Sequence, residues 1–273
     1  WAPNEKVALE VAYGASLCGR RAACAMKHVG LNVAADPLFT LSYTGVNGGL
    51  VICVADDPGM HSSQNEQDSR HYAIAAKVPM LEPADSAECR DYAALAFELS
   101  EKFDTPVLLR LSTRVSHSQS IVEPGERREI PPREYIKNPQ KNIMMPAFAR
   151  LRHPLVEKRT ALLTEYAENS PLNRVEINDS ELGIITSGIS YQYVKEIFGD
   201  SASILKLGMV HPLPDRLIRE FASSVKRVVV IEELDPVIEN HCRALGIRVV
   251  GKQLFSSVGE FSQDTIKKAF GIG

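Results

Sequence analysis

Apolar positions follow two alternating patterns along the chain, helical spacing and short unbroken β-rich runs. From Glu5 to about Cys18 the pattern is helical, with Ala8, Ala12, Ala15 and Ser16 small enough for another helix or backbone to approach. A short strand over Arg21 to Met26, a loop KHVGLN and a helix over Val33 to Tyr43 follow. Gly49 to Ala55 (GLVICVA) has the continuous apolar character of a strand covered on both faces in a parallel sheet, and it stops at the turn cluster Asp56-Asp57-Pro58-Gly59. Ser63-Gln64-Asn65-Glu66 has the form of a capping box and predicts a helix to about Ala76. The strand Val78 to Leu81, the helix Ala84 to Lys102 and the strand Pro106 to Leu111 complete the first half.

Val115 to His153 breaks this rhythm with prolines and mixed charge, and predicts an ordered connector arm leading into a helix over Pro154 to Asn169. A second series follows: strands Gly183 to Thr186, Ile204 to Leu207, Arg227 to Glu232 and Ile247 to Val250. Between them lie helices Ile189 to Phe198, Asp215 to Ser223 and Pro236 to Leu245. Helices alternating with buried strands predict an α/β chain of two doubly wound parallel-sheet domains, the first without its opening strand. The divisions fall at residues 1–117, 118–169 (connector arm and helix) and 170–273.

Composition narrows the function classes. Thirty-one basic and 34 acidic residues give a net charge of -3, so no global attraction to nucleic acid or anionic membranes is encoded. Acidic residues interrupt the basic stretches of the arm, and no aromatic platform repeats there, which argues against nucleic acid. No apolar run approaches the roughly 18 residues of a membrane span, and the expectation is a soluble, cytoplasmic protein. Cys18, Cys24, Cys53, Cys89 and Cys242 form no CxxC pair; they read as buried free thiols, not a disulfide framework or a metal or cluster cradle. The full signatures GxSxG, GxxxxGK[ST] and GxGxxG are absent.

Three stretches could carry chemistry. Glu5 opens the first helix, where the macrodipole favours a carboxylate; it equally suits presentation of a carboxylate to a ligand nitrogen. Lys27 and His28 follow a parallel strand, where α/β folds place ligands, and Gly30 and Asn32 permit close backbone approach; these cations suit a carboxylate or enolate. The segment Asp56 to Ser63, with Glu66, Asp68 and His71, holds carboxylates and imidazoles, but the capping box accounts for Ser63 and Glu66 and a helix would spread Asp68 and His71, so no metal site is assigned.

The segments NEKVALEVAYGAS, AMKHVGLN, ADDPGMHSSQNEQDSR, PVLLRLSTRVSH, LGIITSGISY, LKLGMVHPLP and VVVIEELDPVIENHC together resemble the thiamin-diphosphate-dependent 2-oxoacid:ferredoxin oxidoreductases, and within them the alpha subunits that act on indolepyruvate. The resemblance implies a pyrimidine-binding domain over 1–117 and a transketolase C-terminal-like domain over 170–273. Glu5 would hydrogen-bond the aminopyrimidine ring and favour its imino tautomer. Gly30 and Asn32 would border the cofactor, and Lys27, His28, His61 and Arg70 would meet the substrate. The implied reaction is oxidative decarboxylation of a 2-oxoacid, with coenzyme A taking the acyl group and electrons passing to ferredoxin. Pyruvate-specific relatives carry an arginine where this chain has Asp56 and Asp57, which points to an aryl pyruvate. Mg2+ and 4Fe-4S clusters would be held by regions not in this sequence. The expectation is an internal fragment of an alpha chain that dimerises, pairs with a beta subunit, and neither binds the cofactor tightly nor turns over alone. The alternatives are a non-catalytic scaffold keeping the domain pair, and a non-oxidative thiamin enzyme.

Overall fold

The computed structural model describes residues 1–127 and 129–272. Its first half runs α1 (Glu5–Leu17), β1 (Ala22–Lys27), α2 (His28–Val33), α3 (Ala35–Thr44), β2 (Leu50–Asp56), α4 (Arg70–Ala76), β3 (Met80–Leu81), α5 (Ser86–Phe103), β4 (Val107–Ser112) and α6 (Thr113–His117). After the arm come α7 (Pro139–Asn142), α8 (Pro146–Glu168), β5 (Arg174–Glu176), β6 (Leu182–Ser187), α9 (Gly188–Phe198), β7 (Ser203–Leu207) and β8 (Met209–His211). The chain closes with α10 (Asp215–Ser223), β9 (Arg227–Ile231), α11 (Val237–Ala244), β10 (Val249–Val250) and α12 (Gln263–Phe270).

The strands form two five-stranded, mainly parallel sheets, ordered β1-β2-β4-β3-β8 and β10-β9-β6-β7-β5. Each is covered on both faces, which is why GLVICVA and RVVVI are apolar throughout. In the first sheet Leu9, Leu38, Leu41 and Ala73 pack on one face with Ile52 and Val54. Tyr92, Ala96, Leu99 and Leu163 pack on the other with Val51 and Leu109. In the second, Val194, Phe198 and Ile266 cover Ile184 and Val229, while Ile218, Phe221 and Cys242 cover Ile185 and Val230. The predicted α/β class of two doubly wound sheets is therefore the observed one.

Two strands depart from the parallel scheme. β5 pairs antiparallel with β7, and β8 leaves the second series to pair antiparallel with β3, placing Met80 opposite His211. β5, β8 and α12 had no sequence expectation.

Three local readings are corrected. KHVGLN is not a loop: Lys27 ends β1 and His28 to Asn32 lie in α2, which packs on α1 and β1. The capping box does not form: the Ser63 hydroxyl donates to Asp57 Oδ2 at 2.6 Å and Glu66 accepts from the Gly59 amide at 2.6 Å, so helix waits until Arg70. α8 begins at Pro146 and contains Pro154; its first turns are held by Arg152, which donates to the Tyr43 carbonyl at 2.7 Å and pairs with Asp104. The cysteines are unpaired, but only Cys242 is buried, and Cys18 is exposed. No helix among the described residues is long and apolar enough to cross a membrane.

The arm crosses the amino-terminal edge of the first sheet. The Arg133 amide donates to the Gly19 carbonyl at 3.0 Å and its guanidinium pairs with Glu101, while Lys141 reaches Asp104. Gly19 has φ +77° and lies against the Arg133 backbone, with no room for a Cβ.

Candidate functional site

The carboxyl ends of β1, β2 and β4 open at the edge opposite the arm. There α1 delivers Glu5 to α2: Asn4 caps α1 by accepting from the Val7 amide, and the Glu5 side chain lies flat on the Gly30 backbone. A Cβ at Gly30 would stand 2.5 Å from Glu5 Cγ and 2.9 Å from Oε1, so this approach requires glycine. Glu5 is half-buried, and among the described residues its carboxylate has no hydrogen-bond or ion-pair partner.

Lys27 and His28 act on the long loop after β2. The Lys27 ammonium donates to the Ser62 carbonyl and, at 3.2 Å, to the Ser62 hydroxyl. His28, fully buried, bonds the Asn65 carbonyl through Nε2 at 3.0 Å. Because a carbonyl only accepts, Nε2 carries the proton. From inside the loop, Asp57 accepts from the amides of His61 (3.2 Å) and Ser62 (2.9 Å) and from the hydroxyls of Ser63 (2.6 Å) and Thr113 (2.7 Å). Burial alone would raise the Asp57 carboxyl, but these donors outweigh it and hold the group well below the usual carboxylate range. Asn32 is exposed and accepts from the Tyr72 hydroxyl at 2.5 Å. His61 reaches Glu260 at 3.2 Å, and Glu260 also receives both arms of the Arg114 guanidinium, which joins the loop tip to the second sheet's unit.

Arg70, expected to meet substrate, is 1% exposed and lies elsewhere. It donates to Asp68 (2.5 Å), to Glu232 (2.5 Å) and to the carbonyls of Glu233 and Asp235. Burial opposes its charge, but the two carboxylates prevail and raise its pKa. Beside it the buried Arg110 bridges Asp56 (2.7 Å) and Glu82 (2.5 Å), and Ser187 donates to Glu82 at 3.2 Å. This seam of two guanidiniums and five buried carboxylates, Glu233 included, joins the two sheets. Burial raises Asp56 against Arg110 and Glu232 against Arg70, and pushes Glu233 up to about 7. The seam was not foreseen; its one sequence signal was charge inside an apolar strand, as at Arg110 in PVLLRLS.

The structure thus brings Glu5 against Gly30, and Lys27, His28 and His61 onto one loop, while Arg70 serves the seam. Among the described residues no group of three or more His, Cys, Asp or Glu stands placed to hold a metal.

This fold is shared with solved thiamin-family enzymes, a 2-oxoacid:ferredoxin oxidoreductase and a transketolase. A 2-oxoglutarate:ferredoxin oxidoreductase from Magnetococcus marinus, solved with 2-oxoglutarate, coenzyme A and succinyl-CoA bound, superimposes with a TM-score of 0.77 at 17% identity, over 99% of this chain and 56% of that one. A split-gene transketolase, an inactive beta4 tetramer, follows at 0.57 and 18% identity, over 98% of this chain and 77% of that one. The sequence relationship is narrower: the chain is homologous to indolepyruvate oxidoreductase subunit IorA. It is 48% identical to IorA of Archaeoglobus fulgidus over 92% of this chain and 41% of the relative, and 47% identical to IorA of Methanothermobacter marburgensis over 97% and 45%. The chain therefore spans less than half the length of these relatives. No family model matches it.

Proposed function

We propose that this chain is the part of an indolepyruvate:ferredoxin oxidoreductase alpha subunit that presents the pyrimidine-side glutamate, Glu5, to thiamin diphosphate. Residues 1–117 form the pyrimidine-binding domain and 170–273 the transketolase C-terminal-like domain. The observation that carries the reading is the half-buried Glu5 carboxylate, seated on Gly30 and unpaired among the described residues at the carboxyl edge of a parallel sheet. Flat ring systems need such a backbone approach, and a carboxylate free of protein partners accepts one strong, charge-assisted hydrogen bond from a ring nitrogen. When bound, thiamin diphosphate supplies the nucleophilic carbon that takes up the 2-oxo carbon of the substrate.

The chain's own residues have separate tasks. Glu5 accepts the ring N–H and biases the tautomer. Lys27 spends two of its three donors' directions on Ser62 and keeps capacity for a substrate carboxylate at the same edge. His28 positions the loop through Asn65, and His61 stands exposed at the loop tip. Gly30 and Asn32 border the ring. The Mg2+ and 4Fe-4S clusters belong to regions outside this sequence, and a beta subunit, ferredoxin, coenzyme A and a second alpha chain complete the cytoplasmic assembly.

The test uses the complete alpha subunit with its beta partner, indolepyruvate, coenzyme A and a viologen acceptor. Glu5→Gln is expected to lower turnover by about 100-fold or more, in the range for loss of a group that sets a proton's position. Full coenzyme-A-dependent viologen reduction by Glu5→Gln would refute the reading and leave a scaffold role, and turnover without an acceptor would point to non-oxidative chemistry.

A further inference from the structure

We infer that Met60, at the tip of the loop between β2 and α4, is the residue that meets the ring of an aryl 2-oxoacid and sets the preference for it over small aliphatic 2-oxoacids. This rests on the function proposed above.

Met60 has φ +51°, a conformation that bulky side chains seldom adopt, and it follows Gly59 at φ +86°. The loop holds it there from several sides. The Met60 amide donates to the Asp57 carbonyl at 2.9 Å, the Asp57 carboxylate gathers four donors around the tip, and Glu66 takes the Gly59 amide. Such over-determined strain persists where the surroundings enforce it, and it gathers at functional positions. Core packing does not account for it, because Met60 is 46% exposed and is flanked by Gly59 and His61. The left-handed turn therefore serves to hold an apolar, adaptable thioether out of the loop.

Its position fits a ligand with one charged end and one apolar end. Lys27 donates to Ser62, two residues from Met60, so a cation and an apolar side chain are coupled through one loop. Glu260 clasps that loop from the second unit through His61, and its amide lies 3.6 Å from where a Cβ of Gly59 would be. A 2-oxoacid held by its carboxylate at Lys27 and reaching the tip would bring its ring to the thioether, where sulfur against an aromatic ring is a favourable contact.

The experiment compares wild type, Met60→Gly and Met60→Leu in the complete alpha–beta holoenzyme. Glycine suits the positive φ, so the loop keeps its shape while the side chain is lost. The readout is kcat/KM for indolepyruvate divided by that for 2-oxobutyrate, with coenzyme A and viologen. Met60→Gly is expected to lower this ratio about tenfold, the scale of one apolar contact in a pocket, through KM for the aryl substrate, and Met60→Leu to restore most of it. A ratio unchanged within about twofold in Met60→Gly overturns the inference while the function stands. A wild-type enzyme that oxidises no 2-oxoacid removes both.

Discussion

Arg70 on α4 and Glu232 at the end of β9 meet at 2.5 Å across 162 positions of sequence, and each is at most 2% exposed. With Arg110 and Glu82 they make this contact between the sheets ionic. A pair so enclosed adds little net stability, because desolvation offsets attraction, yet it penalises any arrangement that separates the partners.

Arg70→Met should therefore be strongly destabilising. It leaves Asp68 and Glu232 buried without their cation, a loss expected at about 3–5 kcal/mol in urea unfolding. Arg70→Lys should not recover it, since one ammonium cannot reach both carboxylates and two carbonyls. A loss below about 1 kcal/mol for Arg70→Met would mean that water reaches the seam.

Gly30→Ala separates ligand binding from folding. Its methyl group would stand 2.5 Å from Glu5 Cγ and must push the carboxylate aside. Thiamin diphosphate binding to the complete enzyme, followed by calorimetry, should weaken by about tenfold or more, the effect of about 1.4 kcal/mol. Unchanged affinity would show that Glu5 works from another rotamer.

Glu233 makes stability depend on pH with an unusual sign. Its folded pKa, raised by burial to about 7, lies above the unfolded value of 4.5, so the native state holds more protons between these limits and this contribution is lost as pH rises through 7. His211 acts oppositely: burial lowers it from 6.5 to about 4, so its contribution grows with pH over that window. Glu233→Gln imitates the protonated acid, and in the difference between variant and wild type the His211 contribution cancels. That difference, from urea midpoints, should shift in favour of the variant by on the order of 3 kcal/mol between pH 4.5 and 7.5. Parallel profiles would count against a protonated Glu233.

Gly19→Ala should release the arm. The residue combines φ +77° with a backbone contact that excludes a Cβ, and it accepts the Arg133 amide. Trypsin should then cut after Arg127 and Arg133 several-fold faster, with the rest of the chain intact; an unaltered digestion rate would show that Lys141 and Arg133–Glu101 suffice.

The long apolar strands were legible because covering both faces leaves a continuous signal, and α10 was read at both ends because Asp215 follows Pro214 and its apolar stripe is clean. β5 and β8 were not, since three residues carry no period and their existence rests on partners at Leu205 and Met80. In the candidate site, motif and strand-end position single out Glu5, Lys27 and Gly30, and the structure sets Glu5 against Gly30 and Lys27 against Ser62. Arg70 was misplaced because a lone arginine in QDSRH gives no sign of a carboxylate 162 residues away. Likewise Ser63 and Glu66 satisfied a local capping pattern, but Asp57 and Gly59 claimed both side chains.

The short strand β8 has a further consequence. Met209 to His211 comes from the second half of the chain yet completes the first sheet, so the halves are stitched as well as apposed. Residues 1–117 produced alone would expose the free edge of β3, with Met80 and Leu81 open to pairing with another molecule. Cleavage within the arm, by contrast, would leave the stitch in place, and the two products should travel together until denatured.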